Sequence, residues 1–118
     1  MRFTVSQGLF APVGDYRATL VGIKEMKPHA EYGRSVRFIF RVAGGEHDGA
    51  EPCAFINVED PPSPTNQFGR FLAGLTGTAI VPGSTIDVEQ FIGKIFQIQV
   101  EDAPNRKGTR VSSATPAF

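Results

Sequence analysis

Two arginines stand four residues apart in the stretch RSVRFIFRV, residues 34–42, and they are the first candidates for chemistry in this chain. Alternate side chains of a strand point to opposite faces. Val36, Phe38, Phe40 and Val42 then form an apolar face, and Ser35, Arg37, Ile39 and Arg41 form the other. A second alternating stretch, EPCAFINV (51–58), sets Ala54, Ile56 and Val58 against Cys53, Phe55 and Asn57. If the first set of each is core, Phe55 emerges beside Arg37 and Arg41. By the same alternation Arg17 and Thr19 of GDYRATLVGIKE share that face. A guanidinium group beside an exposed aromatic ring suits a single-stranded nucleic acid, because arginine meets phosphate or stacks on a base and phenylalanine stacks on a base. Tyr32 and Arg34, in one loop, and Asn105, Arg106, Lys107 and Arg110, around another, would flank such a groove. The competing reading packs Phe55 under the N-terminal arm or a subunit contact and pairs the arginines with Glu51 or Glu59, an arrangement common between neighbouring strands.

Enzyme chemistry finds little to stand on. His29 and His47 lie in separate loops with no second ligand at the spacing of a zinc site. Cys53 has no partner motif for nucleophilic catalysis. Glu59-Asp60 and Glu101-Asp102 are adjacent pairs, whose side chains diverge on a strand. GTAIVPGST has five residues between Gly77 and Gly83 and lacks the lysine of a phosphate loop. The expectation is a non-enzymatic protein with no metal and no cofactor.

Composition narrows the class. An apolar fraction of 41% with 20% charged residues describes a folded chain rather than a disordered one, and 118 residues suit one domain with one core. We expect a single domain over 1–118, with an N-terminal arm at 1–12 and a C-terminal tail at 113–118. The formal net charge of zero weighs against bulk attraction to polyanions. The charge is unevenly spread, however. From Arg17 to Arg41 six bases (Arg17, Lys24, Lys27, Arg34, Arg37, Arg41) face two acids (Glu25, Glu31), whereas Glu46 to Asp60 holds five acids and no base. The single cysteine, the lack of a long apolar run and the lack of a signal-like N-terminus point to a cytoplasmic protein with no membrane association.

The elements that would position these residues follow from periodicity. GDYRATLVGIKEMKP reads as a long first strand whose alternation slips at Gly22, so that Ile23 rejoins the apolar side, as at a bulge. Strands two and three form a hairpin through AGGEHDGAE. In SPTNQFGRFLAGLTG, Ser63 reads as an N-cap with Pro64 at the first helical position. Phe68, Phe71, Leu72 and Leu75 then form a stripe, and Gly77 is the C-cap. Asp87 and Gln90 suggest a capping-box start to a short turn. KIFQIQVED is a fourth strand and TRVSSATPAF holds a short fifth. Three strands, a helix and two strands is the order of a five-stranded OB-type Greek-key barrel, all-β with one helix between strands three and four, in which the helix closes one end. Such barrels bind oligonucleotides or oligosaccharides on strands two and three and on the loops joining strands 1–2 and 4–5.

The fragments PVGDYRATLVGIKE, YGRSVRFIFRVAGGEHDG, FIGKIFQIQVED and NRKGTRV together resemble phage-type OB-fold single-stranded DNA-binding proteins over residues 13–112. The matching positions are Gly14, Tyr16, Tyr32, Gly33, Gly49, Gly93 and Lys94. The resemblance implies sequence-nonspecific binding of single-stranded DNA in replication or recombination, and adds Lys94 to the contact residues. It also leaves room for replication or recombination proteins and further copies of the chain as partners. Two features depart from the pattern. Asp48-Gly49-Ala50-Glu51 is acidic where an arginine often follows the glycine, and SSATPAF lacks an acidic partner-recruiting tail. A different class stays open beside this one: a structural or protein-interaction β-barrel whose arginine face docks an acidic partner or another copy. Oligosaccharide binding is a third reading, weakened by the absence of Trp.

Overall fold

The computed structural model describes residues 1, 11–31, 33–103 and 108–117. Tyr32, Asn105, Arg106 and Lys107, and most of the N-terminal arm, lie outside the described residues. Five strands and one α-helix follow in chain order: β1 (Gly14–Glu25), β2 (Ser35–Val42), β3 (Cys53–Asn57), α1 (Gln67–Thr76), β4 (Ile95–Asp102) and β5 (Thr109–Pro116), with a 3-10 turn at Val88–Phe91 before β4. The chain is therefore all-β with one helix. All strand pairs are antiparallel, in the order β3-β2-β1-β4-β5.

The twelve residues of β1 serve two neighbours. Its first half pairs with β4, from Gly14↔Val100 to Thr19↔Ile95, and its second half with β2, from Ala18↔Val42 to Glu25↔Val36. The register slips between Leu20 and Gly22, leaving Val21 as the extra residue of a bulge. Leu20 and Ile23 consequently point the same way although they are three apart, as the slipped alternation predicts. The β2–β3 hairpin closes through Gly49 N–H donating to Val42 O and Val42 N–H to Ala50 O, both at 2.9 Å.

The expected closed barrel is not formed: no ladder joins β3 to β5 among the described residues, so the sheet is not closed by hydrogen bonds. The two edge strands still approach within 8 Å at Cα, and α1 packs against both of them. Short β3 runs into Pro61 and Pro62 soon after its last paired residue, and a proline supplies no donor for a ladder. Gly74 lets the helix come close to β5, since a Cβ there would strike the Ala114 carbonyl oxygen; one on Gly69 would strike the Ser63 backbone just before the helix.

The core is the inward set of every strand: Ala18 and Leu20, Phe38 and Phe40, Ala54 and Ile56, Phe96, Ile98 and Val100, with Val111 and Ala114 from β5. The helical stripe joins it through Phe71, Leu72 and Leu75, and the Phe71 and Phe38 rings meet at 4.9 Å between centroids. The helix starts later than its sequence signal. Asn66, not Ser63, is the N-cap; its Oδ1 accepts from Gly69 N–H at 2.8 Å and reaches back to Ser63 N–H at 3.1 Å. Asn66 wins because it can satisfy donors on both sides of the turn, whereas among the described residues the Ser63 hydroxyl engages only Thr65. Gly77 is the C-cap, at φ 80°. Asp87 caps the 3-10 turn through Glu89 N–H, two residues on, rather than in a box with Gln90.

Two substitutions test this packing. Phe71→Ala should destabilise the protein by about 3–5 kcal/mol in chemical denaturation; a change below ~1 kcal/mol would mean that α1 does not cover the core. Gly74→Ala should also destabilise it, although alanine favours a helix over glycine by about 1 kcal/mol. A more stable variant would mean that helix and strand are not in contact at Ala114.

Candidate functional site

The outward set of the sheet is as ordered as the core. Across β3, β2 and β1 one row reads Phe55, Arg37, Lys24, because Arg37 is paired with Phe55 on one side and with Lys24 on the other. The next row reads Cys53, Ile39, Gly22. Further along, Arg41 stands opposite Thr19, and Arg17 opposite Gln97 of β4. Directly opposed side chains on neighbouring strands have Cβ atoms about 4.5–5.5 Å apart, so each row is a contact set.

Phe55 is 45% exposed while its neighbours Ala54 and Ile56 are buried. The alternation of CAFINV therefore has the register read from the sequence. An exposed phenylalanine on a strand face keeps part of an apolar ring in water. Arg37 is half-buried, and among the described residues its Nε finds no hydrogen-bond acceptor although the atom is buried. Arg41 is differently placed: its Nη2 donates to Glu51 Oε2 at 2.9 Å. The carboxylate pairing weighed for the arginines thus holds for Arg41. Among the described residues Glu59 does not take an arginine side chain in this way; its Oε2 accepts the backbone N–H of Arg34 at 2.8 Å and ties the end of the β1–β2 loop to the end of β3.

The other candidates divide by parity and position. Arg17 is exposed on the same outer face, next to the β2–β3 loop, where Ala43 N–H donates to Arg17 O at 2.9 Å. Exposed Arg34 sits at the mouth of the β1–β2 loop, one residue beyond the Ser35↔Asn57 pair. Lys94 does not join the arginines. It shares the parity of inward Phe96, and its Nζ lies over the Phe91 ring at 5.7 Å. Arg110 stands opposite Glu101 on the β4–β5 pair, beyond the end of β1 that is remote from Arg37. The structure thus brings together Arg17, Arg37, Arg41 and Phe55, with Arg34 at their edge. Tyr32, Arg106 and Lys107 lie outside the described residues.

Lys24 belongs to this face and was missed. Its signal was in the sequence: the slip that turns Ile23 inward at Gly22 necessarily turns Lys24 outward. The same bulge opens a hollow of about 290 Å³ lined by Val21, Gly22, Arg37, Ile39, Arg41, Glu51 and Cys53. Cys53 is half-buried there, and its thiol is held above its ordinary pKa by burial first; Arg37 pulls it down and Glu51 pushes it up. Among the described residues no group of three His, Cys, Asp or Glu is placed to hold a metal ion, and no helix is long and apolar enough to cross a membrane. No protein-family model matches the chain, and a comparison with curated proteins gives no match.

The raised Cys53 pKa has a signed consequence. The folded state holds the thiol proton more tightly than the unfolded chain, whose value is near 9.0, so the stability this proton supplies is present below that pH and lost as pH rises through the folded value. At a pH of about 8 the thiolate fraction, and hence the alkylation rate, should be lower in the folded protein than in the denatured chain. Equal rates after correction for exposure would show that Cys53 is not desolvated.

Proposed function

We propose that this chain is a non-enzymatic, sequence-nonspecific single-stranded DNA-binding protein of phage-like type, acting in replication or recombination in the cytoplasm of its host cell. The observation that carries the reading is the row Phe55, Arg37, Lys24: an exposed aromatic ring with a guanidinium and an ammonium group in line across three strands. A base stacks on Phe55, while Arg37 and Lys24 take the phosphates beside it, and Arg17 extends the cationic track along β1. Stacking uses the π-face that every base has, so no sequence is read. A net charge of zero is compatible with this chemistry because the cations are gathered on one face, whereas Glu46, Asp48 and Glu51 lie in the β2–β3 loop and at its end. Further copies of the chain and replication or recombination proteins are partners consistent with this role.

A second reading is favoured by one observation, the Arg41–Glu51 ion pair. If the basic face is already balanced by its own carboxylates, it serves as a docking surface for a protein, and the chain is an interaction barrel. Nucleic-acid binding separates the two. Arg37→Ala should weaken binding of a labelled oligo(dT) and flatten its log–log salt dependence by about 0.7, the share of one neutralised phosphate. Glu51→Gln should tighten it by releasing Arg41. Phe55→Ala should weaken it by about 1–3 kcal/mol, similarly for different base sequences, with stability almost unchanged. Phe38→Ala should instead unfold the protein. An unchanged slope in folded Arg37→Ala, with full affinity in Phe55→Ala, would leave the interaction barrel as the account of this face.

A further inference from the structure

The hollow beside the β1 bulge has a shape that the phosphate track does not explain. It exists because residue 22 has no side chain. A Cβ there would meet only Ile39 Cδ1, at 3.7 Å, and Gly22 is not among the glycines with positive φ. Neither backbone strain nor crowding therefore requires glycine at this position; what glycine leaves is open space. The floor of that space is Ile39 and the walls are Arg37 and Arg41, with the half-buried Cys53 thiol on the β3 side. Arg41 already has an anionic partner in Glu51, whereas Arg37 Nε is buried without an acceptor among the described residues.

The apolar floor of Ile39 and Val21 offers an anion no hydrogen bond. It is a good seat for a flat, partly apolar ring with hydrogen-bond acceptors on its rim. Guanidinium planes stack on such rings, and the outer N–H groups of an arginine donate to acceptors on their rims. At about 290 Å³ the space is just below the range of about 300–1,000 Å³ usual for small-molecule sites, which suits one ring system rather than a larger ligand. It also lies one residue pair along β3 from Phe55, about 7 Å at the rise of a strand, so neighbouring nucleotides of one strand can use the two places.

We propose that this hollow is a nucleobase seat, a second base site next to Phe55, created by Gly22 and floored by Ile39. The inference rests on the single-strand-binding reading and specifies where the base after the stacked one goes. Cys53, the single cysteine of the chain, reports its occupancy.

The experiment compares oligo(dT) with an abasic strand of the same length, each brought to saturation as judged by fluorescence anisotropy. Alkylation of Cys53 in the wild-type protein should slow by about tenfold with oligo(dT), the order expected for one engaged base, and hardly at all with the abasic strand. Gly22→Val, which fills the hollow and leaves every charge in place, should weaken oligo(dT) binding by about tenfold and leave abasic-strand affinity unchanged, with the denaturation midpoint checked alongside. Equal protection of Cys53 by the two strands, or none by either while bound, overturns the seat. So does a Gly22→Val variant that binds both strands more weakly by the same factor, or neither more weakly. Those results spare the broader reading, which fails on a different outcome: a wild-type protein that binds neither strand, in which case the seat falls with it.

Discussion

Everything in this molecule hangs on β1, the one strand whose two halves are held by different partners. Its first half is held by β4 and its second by β2, so the two hairpin-like halves of the sheet meet on twelve residues. A strand shared in this way must satisfy two neighbours, and the bulge at Val21, within its ladder to β2, shifts the register of that pairing. The inward set, Ala18, Leu20 and Ile23, then remains continuous with Phe38, Phe40, Phe96 and Ile98. The outward set inherits the same discipline, so that residues far apart in sequence, Lys24, Arg37 and Phe55, end in one row. Core and candidate site are two sides of a single constraint.

That constraint explains what was legible in the sequence. Strict alternation in RSVRFIFRV and CAFINV determined which side chains are buried, because a slip of one residue would expose Phe38 and Ile56 together. Gly22 announced its own bulge by breaking the period. The helix stripe was plain in Phe71, Leu72 and Leu75, but its start was not: Ser63 and Asn66 are both good caps, and only the surrounding chain, whose Ser63 N–H also needs an acceptor, selects Asn66. Pairing partners of charges were the least legible. Glu51 and Glu59 looked equivalent as partners for the arginines, yet one meets Arg41 and the other turns to a loop amide. Lys94 was a contact residue by resemblance alone, and its Nζ lies over the Phe91 ring, away from the arginine row. The seam between β3 and β5 was illegible for another reason, since it depends on how closely Gly74 lets the helix approach Ala114, a tertiary distance with no periodicity.

The electrostatic character of the face is set by position rather than by totals. Arg17, Lys24, Arg37 and Arg41 come from two strands, and their excess vanishes in the sum over the chain because the β2–β3 loop region is acidic. Glu51 sits at the boundary between these regions and neutralises Arg41, which leaves Arg37 as the cation with both an aromatic neighbour and an unused donor among the described residues. The face is thus graded, from a balanced ion pair at one end to the Phe55 row at the other.

The central claim is that this face holds a single nucleic-acid strand through its phosphates and bases together. A titration of the wild-type protein against a labelled strand of about 20 nucleotides, read by fluorescence anisotropy at two salt concentrations, tests it most directly. The expected result is saturable binding whose affinity falls as salt rises, by about 0.7 in the log–log slope for each phosphate engaged. Binding that is absent at the lower salt concentration, or that does not change between the two, would contradict it.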